Sequence, residues 1–269
     1  EGGRLDLQQL GMSQNTQAQF DHLISQPHGI VLVTGPTGSG KTTTLYAALT
    51  RLNAVTTNLL TVEDPIEYTL EGINQVQLKE SIGLTFASTL RSFLRQDPDI
   101  IMLGEIRDGE TAEMAVRAAL TGHLVLSTIH TNSAWGTISR LVDMGVPPFL
   151  IASTLNTSVA QRLVRLLCTH CKKEEDFSTK MFPRNFKPVR EIKKHFVAVG
   201  CEHCYYTGYK GRKALYEVIP MDYELGEMIK NGNFGVQNEL RARGIKSLAE
   251  NAFDLLDQGK TSINEVYPM

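Results

Sequence analysis

Gly35-Pro36-Thr37-Gly38-Ser39-Gly40-Lys41-Thr42-Thr43 is the stretch on which the fold turns. Its first eight residues fit the pattern G-x-x-x-x-G-K-[ST] at every fixed position. An apolar run of strand length, Gly29-Ile-Val-Leu-Val-Thr34, precedes it, and a segment of helical composition, 41–52, follows. Strand, glycine-rich turn and helix in that order form the setting in which this pattern cradles phosphates. Glycines let the backbone curl until its N–H groups face an anion. The helix aims its positive end at the same point. Lys41 is placed to reach the β- and γ-phosphates and Thr42 to offer a hydroxyl to Mg2+. Gly35, Pro36, Thr37, Gly38, Ser39, Gly40, Lys41, Thr42 and Thr43 are therefore the expected nucleotide-binding residues.

Outward from this loop, short apolar runs alternate with helical patterns. Asn58 to Glu63, Asp99 to Gly104 and His123 to Thr128 repeat the strand signature, and 85–95, 109–120 and 134–143 are helix-like. Uninterrupted apolar strands between helices indicate an α/β fold with a mostly parallel sheet covered on both faces. After Pro147-Pro148, residues 146–167 are expected to form one more helix. The segments 223–230, 236–243 and 247–258 are helical again.

In such a sheet the carboxyl ends of neighbouring strands share one crevice. Glu63 ends one apolar strand, in Glu63-Asp64-Pro65, and Glu105 follows another, in Asp99-Ile-Ile-Met-Leu-Gly-Glu105. Hydrolysis needs groups that place water and hold the metal. Glu63, Glu105 and Lys41 are thus expected to converge, with Glu105 and Thr42 on the Mg2+ side. The competing role for each acid is a helix cap or a surface carboxylate, and for Asp64 a turn before Pro65. His123 and His130 flank the next strand, either as structural histidines or aimed at the crevice. Arg91, Arg95, Arg107 and Arg117 lie near this region as solvated helix charges or, in a ring of subunits, as partners of a neighbour's phosphate.

All four cysteines fall in two C-x-x-C pairs, Cys168-Thr-His-Cys171 and Cys201-Glu-His-Cys204. Four thiolates suit a tetrahedral structural Zn2+. The spacer 172–200 exceeds the roughly 15–20 residues common between such knuckles. His170 and His203 lie within the knuckles, but four cysteines close the shell without them. Basic residues outnumber acidic ones across 168–213, and Tyr205, Tyr206 and Tyr209 stand among them. That mixture suits a solvated knob, a nucleic-acid surface, or a face toward anionic lipid or a membrane-protein partner.

Composition narrows the classes. With 42% hydrophobic and 21% charged residues over 269, the chain can bury a core of one large or two smaller domains. A net charge of -2 argues against a chain-wide nucleic-acid surface. No apolar run approaches the ~20 residues of a membrane-spanning helix. The nearest, 148–167, is broken by Asn156, Gln161, Arg162 and Arg165. The opening Glu1-Gly-Gly-Arg-Leu-Asp6 has no apolar signal core and no initiator Met, so the chain is expected to be part of a longer protein.

Four blocks in order carry a family resemblance: Gly35 to Thr43, Val62-Glu-Asp-Pro-Ile-Glu-Tyr68, Leu103-Gly-Glu-Ile-Arg-Asp108, and Thr121-Gly-His-Leu-Val-Leu-Ser-Thr-Ile-His-Thr131. The chain resembles the secretion ATPases of type II secretion and type IV pilus assembly over nearly its whole length. There the blocks are the Walker A, Asp, Walker B and His boxes. The resemblance implies a RecA-like core in a homohexamer that hydrolyses ATP. Glu63 and Glu105 would serve water activation and Mg2+, while His130 and ring-facing arginines would sense the γ-phosphate. It implies action from the cytoplasm on platform proteins of the inner membrane. It also implies a domain ahead of the core, of which Leu5 to Met12 would be the end or the linker. A tetracysteine knob is common among the assembly members and generally absent from retraction members.

The resulting organisation is residues 1–28 as linker or domain end, 29–167 as RecA-like core, 168–213 as tetracysteine zinc subdomain and 214–269 as C-terminal helical subdomain. Two other functions compete: a nucleic-acid translocating P-loop ATPase with a zinc knuckle, and a scaffold that binds nucleotide without turnover. The near-neutral charge and the Asp and His boxes disfavour the first, so nucleic acid is not the expected partner. The pair Glu63 and Glu105 disfavours the second.

Overall fold

The computed structural model describes residues 6–184 and 186–269. Residues 1–5, the start of the expected linker, lie outside the described residues. The chain divides into two compact units, Glu1–Gln161 with Val218–Ile245, and Arg162–Glu217 with Lys246–Met269. In sequence, 214–220 lead into helices that belong to both units.

The strands are β1 (Gly29–Thr34), β2 (Leu59–Glu63), β3 (Asn74–Gln77), β4 (Ile100–Leu103), β5 (Leu124–Ile129), β6 (Leu155–Leu167), β7 (Lys173–Asp176), β8 (Lys194–Val197) and β9 (Tyr209–Pro220). Seven form one sheet in the order β3-β2-β4-β5-β1-β6-β9. The β2–β3, β2–β4, β4–β5, β1–β5 and β1–β6 pairs are parallel. Every residue of β1, β2, β4 and β5 is buried. Helices cover both faces, so these strands read as apolar runs rather than alternations. β3, Asn-Gln-Val-Gln, is a half-exposed edge strand that an apolar-run criterion misses.

The helices of the first unit are α1 (Gln14–Ile24), α2 (Lys41–Leu52), α3 (Phe86–Phe93), α4 (Gly109–Leu120), α5 (Gly136–Asp143), α6 (Pro148–Thr154), α7 (Tyr223–Lys230) and α8 (Gln237–Ala242). Their starts are chemically marked. Thr85 and Ser88 form a capping box on α3, and the side chains of Asp108 and Asp222 accept from Thr111 and Leu225 N–H on α4 and α7. Val62, Leu90, Leu103, Ala115 and Val125 share one buried core. Each large side chain so buried stabilises the fold by about 1.5–3 kcal/mol.

One expected element is corrected. Residues 146–167 do not form a single helix: α6 ends at Thr154 and the chain continues as the 13-residue strand β6. Its apolar pattern suits either element, and the free edge of β1 supplies the hydrogen bonds that decide for strand.

The second unit holds the antiparallel β7–β8 pair, α9 (Leu248–Asp257) and α10 (Ile263–Val266). Its long cysteine spacer packs through aromatic rings. Phe182 and Phe186 stack at 4.9 Å, and Phe186 meets Phe253 at 6.1 Å and Tyr267 at 5.1 Å. Arg190 forks onto Asp254 at 2.8 Å and Asp257 at 2.6 Å.

Candidate active site and metal centre

The strand order places β2, β4, β5 and β1 side by side. Because all run parallel, their carboxyl ends present Glu63, Glu105, His130 and the phosphate loop in a row. The loop is shaped for this. Gly40 caps α2 in the left-handed region with φ 89°, which only glycine adopts freely. Gln161 of β6 braces the loop from behind. Its Nε2 donates to Ser39 O at 2.8 Å, and its Oε1 accepts from Thr44 Oγ1 at 2.6 Å. A Cβ at Gly35 would stand 2.5 Å from the Gln161 carbonyl oxygen, so glycine is needed there too. Ser39 Oγ is buried with no hydrogen-bond partner. It is a spare hydroxyl in the wall of the cradle.

A chain of charged contacts crosses the crevice. Lys41 Nζ lies 3.4 Å from His130 Nδ1. His130 Nε2 lies 2.8 Å from Glu105 Oε1. Arg107 Nε reaches Glu105 Oε2 at 3.2 Å, and its NH2 group reaches Asp64 at 3.3 Å. The guanidinium also lies over the Phe86 ring, 4.9 Å from its centroid. Backbone positions are fixed by hydroxyls of β1 and β5. Thr128 Oγ1 donates to Gly104 O at 2.7 Å, and Thr34 Oγ1 accepts from Thr131 N at 2.8 Å.

Glu63 is almost fully buried, 2% exposed, and caged. The Tyr46 hydroxyl donates to Oε1, while Thr61 Oγ1 and Gln75 Nε2 donate to Oε2 at 2.8 and 3.0 Å. Burial first, then the hydrogen bond and charge of Glu63, push the Tyr46 phenol above its ordinary range, so it stays a donor. Thr42, Glu63, Asp64, Glu105 and Arg107 line one cavity of about 70 Å³.

The structure thus brings Lys41, Thr42, Glu63, Glu105 and His130 together. Arg107 engages Glu105 within its own chain. Arg91 pairs with Glu110 and Arg117 with Glu113 on helix faces, and Arg95 is exposed. His123 precedes β5 and so sits at the opposite end of that strand from His130. Its Nδ1 lies 2.9 Å from Ala118 O, a structural role. Tyr46, Gln75 and Gln161 carry no local signal of a site, and only the fold delivers them to it.

In the second unit the four cysteines meet without a disulfide. Their sulfurs lie within 4.8 Å of one another. The Cys168–Cys201, Cys171–Cys204 and Cys201–Cys204 separations are each 3.8 Å. Zn–S bonds of about 2.3 Å in a tetrahedron put sulfurs about 3.8 Å apart, so the donor set fits that ion. Gly200, Cys201 and Gly208 N–H groups donate to Cys171 and Cys204 sulfurs at 3.2–3.3 Å. For Cys204, burial works against ionisation, but these backbone donors and the neighbouring thiols draw it down to about 6. His170 and His203 stack on each other at 3.9 Å.

The family described as type II/IV secretion system protein matches residues 1–268. The chain is 52% identical over 268 residues to the type II secretion system protein HxcR of Pseudomonas aeruginosa, covering 99% of this chain and 54% of that protein. It is 50% identical over 268 residues to the type IV pilus assembly ATPase PilB of Myxococcus xanthus, covering 98% and 47%. The chain therefore spans about half the length of the curated relatives it matches. Among solved structures, the pilus retraction motor PilT with bound ADP superposes with a TM-score of 0.74 at 27% identity, covering 99% of this chain and 67% of that one. The ATPase DotB of Legionella pneumophila gives 0.72 at 25%, covering 97% and 64%. With these neighbours, the mixed sheet is a RecA-like P-loop fold.

Proposed function

The chain belongs to the type II/IV secretion system protein family, and from that premise we propose that it is the catalytic portion of a Mg-ATP hydrolysing motor. The motor works as a homohexamer that powers type II secretion or type IV pilus assembly from the cytoplasmic side of the inner membrane, on platform proteins. No helix among the described residues is long and apolar enough to cross a membrane, which fits a peripheral position. The carrying observation is the cavity shared by Thr42, Glu63 and Glu105 beside the Lys41–His130–Glu105–Arg107 chain.

Lys41 and the amides of Gly35 to Thr43 bind the phosphates. Thr42 and Glu105 would hold Mg2+, which when bound neutralises charge developing on the phosphates. A carboxylate has about four acceptor positions. Glu63 has committed three to Tyr46, Thr61 and Gln75, leaving one to accept a proton from the attacking water. His130 links Lys41 to Glu105 and so senses whether phosphate occupies the loop. Cys168, Cys171, Cys201 and Cys204 hold a structural Zn2+. This supports the assembly and secretion branch over retraction.

The test is ATP turnover against protein concentration with Mg2+, with Lys41→Ala as blank and a parallel arm with DNA. Turnover per chain that rises with concentration and ignores DNA is the expected result. Stimulation by DNA would point instead to a nucleic-acid translocase. Nucleotide binding without turnover at any concentration would leave a scaffold or a motor that needs further parts of its longer relatives, and a longer chain would separate the two.

A further inference from the structure

Glu63 is held by donors that one loop controls. The Glu67 N–H donates to the Tyr46 oxygen at 3.2 Å, which leaves the single phenolic proton for Glu63. The Leu70 N–H donates to Gln75 Oε1 at 2.7 Å, turning the amide's NH2 toward the carboxylate. The same NH2 donates to Tyr68 O at 3.1 Å. The Tyr68 ring stands edge-on to the Tyr46 ring, with centroids 4.7 Å apart and planes at 84°. The loop 64–73 is therefore wired to the carboxylate through one phenol and one amide. Its outer side rims a groove of about 890 Å³ against Thr50, Asn53 and Val55 at the end of α2.

We propose that Tyr46 is a positioning residue for hydrolysis: through it the loop 64–73 sets the one acceptor direction that Glu63 keeps for water. The inference rests on the hydrolytic role given to Glu63 above. Thr61 holds the carboxylate from its own strand, and Gln75 holds the same oxygen as Thr61. Tyr46 alone restrains Oε1 among the described donors. Without the phenol proton no donor fixes the direction of Oε1, and the carboxylate can turn about the Oε2 that Thr61 and Gln75 hold. Substrate binding is untouched, because Tyr46 reaches no residue of the phosphate loop through its hydroxyl.

The test uses the whole chain and the variants Tyr46→Phe, Glu63→Gln and the two combined. Single-turnover ATP cleavage, equilibrium binding of a fluorescent ATP analogue and thermal melting are measured together. Tyr46→Phe is expected to lower the cleavage rate about 10-fold, a fraction of what a general base supplies. Binding should stay within about 2-fold, the pattern of an interaction needed in the transition state only. In the Glu63→Gln background, adding Tyr46→Phe should change nothing, because a residue acting through Glu63 has nothing left to act on. An unchanged rate in Tyr46→Phe, or the same fold loss with and without Glu63, overturns the proposal. Should Tyr46→Phe fold poorly, Tyr68→Ala removes the ring support and leaves the hydroxyl. A loss of cleavage with binding retained, silent in Glu63→Gln, supports the proposal, and a loss in both backgrounds overturns it. Absence of Lys41-dependent cleavage in the wild-type chain is a separate outcome. It refutes the hydrolytic role of Glu63 itself, and the inference with it.

Discussion

The ammonium of Lys41 stands 3.4 Å from Nδ1 of His130, and an ammonium has only protons to offer. Nδ1 is therefore the acceptor and the ring proton sits on Nε2, an assignment made from the hydrogen-bond network. Nε2 then donates to Glu105 at 2.8 Å. One imidazole thus joins the lysine of the phosphate loop, after β1, to the carboxylate after β4.

His130→Ala should lower turnover by about 10-fold, the cost of about 1.4 kcal/mol of lost orientation, because it breaks the link between Lys41 and Glu105. His130→Gln keeps an N–H for Glu105 and should retain more turnover. Steady-state kinetics of the two variants decides: equal losses contradict the donor role. Lys41→Ala should abolish nucleotide binding or turnover, read by titration with a fluorescent ATP analogue.

Gln161 is buried and bonded to both Ser39 and Thr44. Gln161→Leu takes the side-chain donor from the Ser39 carbonyl, at about 1–3 kcal/mol, while the Thr44 hydroxyl keeps Gly40 O at 3.3 Å. The chain should melt lower and bind ATP about 10-fold more weakly, about 1.4 kcal/mol of affinity. A variant that melts lower while binding ATP normally would show that the brace serves stability alone.

The tetracysteine centre should carry one zinc per chain by elemental analysis. Removing the ion with a chelator should unfold residues 168–213 before the unit that carries the phosphate loop, because metal binding and local folding are coupled. Hydrogen exchange reads the two units separately. Uniform loss of protection across both would contradict local coupling.

His195 is buried with neither ring nitrogen paired. Burial lowers its pKa from the ordinary value, partly countered by Glu175, its cross-strand neighbour. The fold holds it neutral, so its contribution is present above the unfolded value of about 6.5 and is lost as pH falls through that range. Melting temperature should fall more steeply from pH 7.5 to 5.5 in the wild type than in His195→Leu. Parallel slopes would remove His195 as the titrating group.

The apolar runs at β1, β2, β4 and β5 were legible because both faces are covered, and helix starts carried their own caps. Two kinds of element were not. β3 is polar, since an edge strand needs no apolar face. β6 suits either period, and its choice depends on the partner edge of β1. In the site, motif residues announced themselves by spacing, while Tyr46, Gln75 and Gln161 did not. Tyr46 belongs to an ordinary helix pattern, Gln75 to a polar edge, and Gln161 to a run that read as helix.

The sequence marked the glycine-rich loop pattern, the acids Glu63 and Glu105 after apolar runs, His123 and His130 flanking the next strand, and the two cysteine knuckles, with a structural alternative standing beside each acid and histidine. These depend on local backbone chemistry and on fixed short spacing. The tertiary structure decided what surrounds them: that Arg107 turns onto Glu105 and Asp64, that Gln161 backs the phosphate loop, and that Tyr46 and Gln75 cage Glu63. Those partners lie 2 to 122 residues apart in the chain. Most come together only because strands distant in sequence pair in one sheet, and no local pattern encodes which edge a strand will find.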